Sequence, residues 1–334
     1  FILALFAFSV FSCQDETESI VQDTSNNFTK TSPIASLISR VSQYETTIDN
    51  VLDGTSNCAI KLPAHVTVDG QYVYVVSQSD YEAVQDIKDQ SSTDDDKVHF
   101  NYPITIIYPN YYEHVLNSEA EFNTMMAGYG DDSAYHEVSC LNFNYPITIN
   151  IYNTNNQVAS TVTIQTDSQL YNFIHELNNS QIVGIVFPIT ITNPNSQQIT
   201  IHNNVELETA INSAVGSCSN SSTSTPFSDV LTSGSWYVSY FFEENHEETY
   251  HYNGYNFTFN SNGTSLAVKT TTTISGDWDI HNTTPERLDL HFTGSQLEEL
   301  EKNWTVQEYT TTYIRLKTGN GGPEDCSYLS LTKN

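Results

Sequence analysis

Positive charge is what this chain has least of: 11 Lys and Arg stand against 40 Asp and Glu in 334 residues, a net charge of −29 at pH 7. Nucleic-acid binding needs clustered cations that release counterions, and a field of this sign repels phosphate backbones and anionic lipid surfaces. Nucleic acid is excluded as a partner. Catalytic signatures are missing too: there is no glycine-elbow nucleophile, no phosphate-cradling glycine loop and no recognisable Ser/His/Asp set. No enzyme, cofactor, catalytic residue or metal ligand is assigned. Asn, Thr, Ser and Tyr carry most of the polar surface instead, a composition typical of exported proteins.

What is present is a repeat. FNYPITI occurs unchanged at 100 to 106 and at 143 to 149, with relatives IKLPAHV at 60 to 66 and IVFPITI at 185 to 191. The shared prolines, Pro63, Pro103, Pro146 and Pro188, are 40, 43 and 42 residues apart, which marks duplication of one supersecondary unit. Each copy alternates with period 2 and predicts one strand with a buried face, Phe100, Tyr102, Ile104 and Ile106 for example. A proline donates nothing to the ladder, so this strand is expected at an edge or with a bulge.

Turn signals follow at Asp69-Gly70, Pro109-Asn110, Asn153 to Gln157 and Asn193-Pro194-Asn195, and each precedes a second short strand. Helix-start pairs come next: Ser79 with Glu82, Ser118 with Glu121, Thr166 with Gln169 and Asn203 with Glu206. The predicted unit is strand, strand, helix, repeated near 57–90, 97–130, 140–179 and 182–216. Stacking as four in line and closure as two pairs about a pseudo-twofold axis are both compatible with the pattern. An amphipathic helix from Pro33, with Ile34, Leu37, Ile38, Val41, Ile48, Val51 and Leu52 on one stripe, is expected to cap the first repeat.

The start of the chain has a different texture. Phe1 to Phe11 is apolar and too short to span a bilayer. With Val10-Phe11-Ser12-Cys13 it resembles the lipobox of bacterial lipoproteins, in which the cysteine becomes acylated; the first residues of the signal are expected to be missing. Gln14-Asp15-Glu16 and Glu18 resemble the surface-export signal of Bacteroidota lipoproteins. Residues 1–12 are thus expected to be a signal peptide, Cys13 a lipidation site, and 13–32 a flexible acidic tether. The implied address is the outer membrane, facing the exterior. The repeat domain, 33–218, is similar to that of flavobacterial surface lipoproteins carrying a Tyr/Phe-Pro strand, a family that offers architecture without an established chemistry.

After a Ser/Thr/Asn linker, 219–226, residues 227–334 show continuous strand patterning in eight segments, the count that closes a small barrel. Gly234-Ser235-Trp236, then Tyr255 to Phe259 with the Asn262-Gly263-Thr264 hairpin, then Gly276-Asp277-Trp278, resemble the lipocalin-like domains of bacterial lipoproteins. The resemblance implies an antiparallel barrel in which Trp236, Trp278 and Trp304 line a cavity for a small apolar ligand; equally, they fill the barrel. The fold class expected is α+β: four ββα repeats with antiparallel strands covered by helices, then an eight-stranded antiparallel lipocalin-like β-barrel.

Setting Cys13 aside leaves four cysteines, and an even number in an exported chain suggests disulfides. Three pairings exist, and Cys58 with Cys140 and Cys218 with Cys326 is the expected one. Glu243 to Glu248 with His251 is the densest ligand-like cluster, but it also reads as a solvated hairpin tip. Asp94 to Asp96 and Asp131-Asp132 lack the spacing of a calcium loop. Thr67, Thr105, Thr148 and Thr190 recur on the wet strand faces with Tyr102, Tyr108, Tyr111 and Tyr112 nearby. Such an array suits a glycan, although threonine on an exposed strand is favoured simply by the pleat. The function expected is non-catalytic binding or adhesion at the cell surface, with a small apolar molecule or a glycan as ligand. A secreted hydrolase and a purely structural surface protein are the alternatives.

Overall fold

Each of the four repeated prolines follows a cis peptide bond, at Leu62-Pro63, Tyr102-Pro103, Tyr145-Pro146 and Phe187-Pro188. The structure is a computed structural model that describes residues 25–90, 97–128, 137–218, 225–281, 283, 285–319 and 325–334, without the side chains of 216–218. The signal peptide, Cys13, most of the tether and linker, Asp94 to Asp96 and Asp131-Asp132 lie outside these residues.

The expected single strand through each proline is in fact two. A short strand precedes the proline, at Ala59–Ile60, Val98–Phe100, Asn142–Asn144 and Val183–Ile185; another follows, at Ala64–Val68, Ile104–Ile107, Ile147–Tyr152 and Ile189–Thr192. The proline has no N–H to give, so the ladder breaks there and the halves pair with different partners. Every second half pairs antiparallel with its own return strand, at Gln71–Val75, Glu113–Leu116, Val158–Ile164 and Gln198–Ile201. The first halves are exchanged. Ala59–Ile60 joins Ile104–Ile107 and Val98–Phe100 joins Ala64–Val68. Likewise Asn142–Asn144 joins Ile189–Thr192 and Val183–Ile185 joins Ile147–Tyr152. The four segments are therefore two reciprocally exchanged pairs, not a line of four.

A helix follows each return strand: Tyr81–Lys88, Glu119–Gly128, Asp167–Glu176 and Asn204–Cys218. Three of the expected caps form, with the amides of Glu121, Gln169 and Glu206 donating to Ser118 Oγ, Thr166 Oγ1 and Asn203 Oδ1 at 3.2, 3.2 and 2.8 Å. In the first unit the cap lies two residues earlier than expected. Ser77 and Asp80 make the reciprocal box, because Asp80 Oδ2 reaches back to the amides of Val76 and Ser77 at 2.8 and 2.9 Å.

Each pair has its own core. Val66, Val68, Val84, Ile106 and Leu116 belong to the first, and Ile147, Ile149, Leu170, Ile191 and Leu207 to the second. The helix Pro33–Ser42 does not cap the first repeat. It ends at Ser42, and Ile34, Leu37, Ile38 and Val41 are buried in the core of the second pair. Leu52, from the separate turn Asn50–Asp53, belongs to the first core.

The last part is an eight-stranded closed antiparallel β-barrel, formed by Ser235–Glu243, Asn256–Phe259, Thr264–Lys269, Thr272–His281, Arg287–Phe292, Asn303–Tyr309, Tyr313–Thr318 and Ser327–Lys333. Pairing of the first strand with the last, from Trp236 opposite Lys333 to Phe242 opposite Tyr328, closes it. Thr249–Tyr252, within the stretch of continuous strand patterning, is a 3-10 turn. Gly276 sits where strands crowd: a Cβ there would meet the His291 carbonyl oxygen at 2.1 Å. The barrel docks on the second pair. Tyr328 Oη donates to Glu208 Oε2 at 2.8 Å, Lys317 Nζ lies 3.0 Å from the same oxygen, and Arg40 grips Glu308 through both carboxylate oxygens at 2.9 Å.

Candidate functional site

The first pair presents an aromatic face that the second lacks. In Ala64–Val68 the apolar Ala64, Val66 and Val68 point inward and His65 points outward. Tyr74 lies directly opposite His65 in the hairpin register, and Tyr72 is opposite Thr67 on the same face. The His65 ring stacks on Tyr74 with centroids 4.2 Å apart and on Tyr72 at 5.5 Å, while Tyr72 Oη bonds to His65 Nδ1. Tyr72 and Tyr74 nevertheless stay 60% and 49% exposed. The tight turn at Asp69 and Gly70, with φ of 48° and 76°, brings the two strands into this register.

His65 also lines a cleft of about 310 Å³ at the crossing of the two exchanged strands. Pro63 and Pro103 both line it, together with Lys61, Asn101 and Thr105. The Lys61 ammonium is held by Glu113 at 2.6 Å. Platform and cleft thus share one residue and form a continuous surface, aromatic at one end and, at the other, lined by prolines with Asn101, Thr105 and the ion-paired Lys61.

Counted from the prolines, the residue equivalent to Thr105, Thr148 and Thr190 is His65, and not Thr67, which lies two positions further on. The repeated threonine array is therefore three threonines and a histidine. The nearby tyrosines divide in use. Tyr108 Oη donates to Met125 Sδ at 3.5 Å and Tyr111 Oη to the Ser42 carbonyl at 2.8 Å, so both serve the packing. Tyr102 is half-buried and packs edge-on against Phe100, whereas Tyr112 is exposed.

In the barrel, Trp236 and Trp304 are fully buried and Trp278 is partly so. Each indole N–H is satisfied by a backbone carbonyl: Trp236 by Leu231 at 2.9 Å, Trp304 by Leu300 at 2.9 Å and Trp278 by Asn260 at 3.1 Å. Phe241, Phe257, Phe259, Leu288 and Leu329 share the interior with them.

Neither expected disulfide pairing forms. Cys58 and Cys326 are buried and unbridged. Cys58 lies in the first core, its thiol toward Asp53 Oδ2 at 3.9 Å, whereas Cys140 packs on the second core with Sγ 3.7 Å from the Ala214 carbonyl. Cys326 sits with Phe242 and Tyr328, apart from both. Cys140 is disulfide-bonded.

A second cleft, of about 210 Å³, lies between the two pairs and gathers Glu45, Glu137 and Asp167 with Tyr44 and Tyr111. Burial raises the Glu45 and Asp167 carboxyls above the usual range, with Glu137 adding to the effect at Glu45. Two of the three acids have structural partners. Glu137 accepts the Thr46 and Thr47 amides at 2.7 and 3.1 Å, and Asp167 accepts Tyr145 Oη at 2.6 Å. Asp49 is buried nearby and Asp53 is half-buried. Desolvation pushes both carboxyls well up, each against hydrogen bonds from backbone amides, and Asp49 Oδ1 has no partner. Burial likewise pushes the Cys58 thiol far up. The acidic stretch Glu243 to Glu248 with His251 falls at the end of the first barrel strand and the 3-10 turn that follows it.

No family model matches this sequence, and no curated protein matches it. Among solved structures, a DUF4847-family protein from Bacteroides vulgatus aligns over 33% of this chain and 98% of that one, at 16% identity and a TM-score of 0.26.

Proposed function

We propose that the protein is a non-catalytic, surface-facing binding protein whose first repeat pair takes a neutral oligosaccharide. The observation that carries this reading is the exposed Tyr72-His65-Tyr74 stack running into the cleft at Pro63 and Pro103. Flat aromatic faces stack on the apolar faces of sugar rings, and the amide and hydroxyl groups of Asn101 and Thr105 suit ring hydroxyls. Aromatic side chains grouped on one exposed face are a feature of binding surfaces. The net charge of −29 favours an uncharged glycan over an acidic one. We place the ligand here rather than in the barrel because the indole N–H groups there are already bonded to the backbone.

The four proline-centred segments are, on this reading, copies of one ββα unit that have diverged on their wet faces, His65 replacing threonine in the first. The export address rests on Val10 to Cys13 and the acidic residues after it. Incorporation of labelled palmitate that is lost in Cys13→Ala supports the lipid anchor; unchanged incorporation removes it. The binding reading is tested by screening the intact chain against an array of neutral and acidic glycans. Retention of neutral members is expected, and an array without any neutral binder contradicts the reading.

A further inference from the structure

We propose that Glu248, His251 and Glu299 form a binding site for a divalent transition-metal ion of the zinc class at the rim of the barrel, separate from the glycan face. One ligand atom from each of the three lies within 4.8 Å of the others, and His251 Nδ1 is 3.7 Å from Glu248 Oε2. Local geometry explains the first two. Glu248 is the N-cap of the 3-10 turn Thr249–Tyr252, in which residues three apart eclipse, so its carboxylate and the His251 imidazole stand on one side.

Glu299 arrives from a distant segment, the 3-10 helix Ser295–Leu300 between the fifth and sixth barrel strands. Its orientation is fixed from behind. Tyr252 Oη donates to Glu299 Oε2 at 3.0 Å, and Tyr252 is itself only 2% exposed, with its ring edge-on to Phe241 at 5.0 Å. A buried donor that aims a carboxylate is the kind of outer-sphere contact that metal-binding carboxylates use. Neighbouring acids have other partners: Glu243 is held by Lys302, Glu247 Oε1 accepts the Thr249 amide at 2.9 Å and Glu301 Oε1 accepts the Phe292 amide at 3.2 Å.

The donor set decides the class of ion. Calcium and magnesium take all-oxygen shells, whereas one imidazole with two carboxylates is a set that zinc accepts, at about 2.0 to 2.2 Å per bond with a fourth position left for water. Such bonds put ligand atoms roughly 3.4 Å apart in a tetrahedron. The His251 to Glu248 distance already approaches that, and Glu299 and His251 are exposed enough to close the remainder. The chain's negative field raises the local cation concentration.

Calorimetric titration of Zn²⁺ into the chelator-stripped full chain tests the site. One saturable site is expected, weakened at least tenfold in His251→Ala and in Glu299→Gln and about tenfold in Tyr252→Phe. Zn²⁺ should raise the melting temperature of the unaltered chain and leave that of His251→Ala unchanged, and Ca²⁺ should give no saturable heat. His251 and Glu299 lie at the surface, and melting of each variant without metal checks that it folds. Absence of saturable Zn²⁺ binding, full binding retained in His251→Ala and Glu299→Gln, or Ca²⁺ filling the site equally well would each overturn the proposal.

Discussion

The backbone amide of Asn101 donates to the carbonyl of His65 at 2.9 Å, joining two units across their prolines. The bond is returned: the amide of Lys61 donates to Thr105 at 2.8 Å. Both run from two residues before one proline to two residues after the other. In the second pair Val186 donates to Thr148 in the same sense at 2.9 Å, and Asn144 lies opposite Thr190. His65 therefore sits at the point where the units are joined, and its backbone is fixed from both sides.

Stability should depend on pH through Asp49 and Asp53. Burial raises their folded-state values, to about 7 and about 8, above the 3.8 of an ordinary aspartate. The folded state then holds protons more tightly than the unfolded one, so this stabilisation is complete below about pH 4 and is lost as pH rises through 7 to 8. Asp49→Asn mimics the neutral acid. Urea unfolding at pH 8.5 should show the variant more stable by on the order of 1 to 3 kcal/mol, with the difference narrowing as pH falls and vanishing near pH 4. An equal difference at both pH values would contradict the assignment.

The barrel should be less tightly coupled to the second pair in Glu208→Ala. Glu208 is 7% exposed and serves Tyr328 and Lys317 at once. Its removal leaves a buried hydroxyl and a largely buried ammonium without their acceptor, a loss of about 2 to 4 kcal/mol. Calorimetry should show a lower midpoint and separation of the barrel transition from that of the repeats.

Trp236→Ala should cost about 3 to 5 kcal/mol, because the side chain is wholly buried and its removal opens a cavity. Trp278→Ala, at a partly buried position, should cost less. Denaturant midpoints of the two variants give the order.

The Cys58 thiol should resist a maleimide in the folded chain and react once the chain is unfolded, since it is fully buried and its thiolate is disfavoured. Mass spectrometry of the labelled peptide reads this directly.

Local chemistry was legible in the sequence and long-range pairing was not. The caps at Ser118, Thr166 and Asn203 follow from residues three apart, and the eight barrel strands follow from alternation. The cap at Ser77 was obscured because Asp80, shorter than glutamate, reaches back as well. Alternation through FNYPITI made one strand of two, since period 2 continues across Pro103 while the partner changes. Exchange between units leaves no local mark. The platform had a signal in hand: Tyr72 and Tyr74 share the outward phase with His65 once the hairpin register is set by Asp69-Gly70. Glu299 had none, lying 48 residues beyond His251 in sequence.

The most direct measurement is the affinity of the intact chain for a neutral oligosaccharide retained on the array, compared with that of the double variant Tyr72→Ala, Tyr74→Ala. Each stacked ring contributes ~1 kcal/mol, so the double variant should bind tenfold more weakly or worse. Its melting temperature should stay close to that of the unaltered chain, since both rings lie on the solvent face. Unchanged affinity in a folded double variant would place the ligand elsewhere and contradict the account.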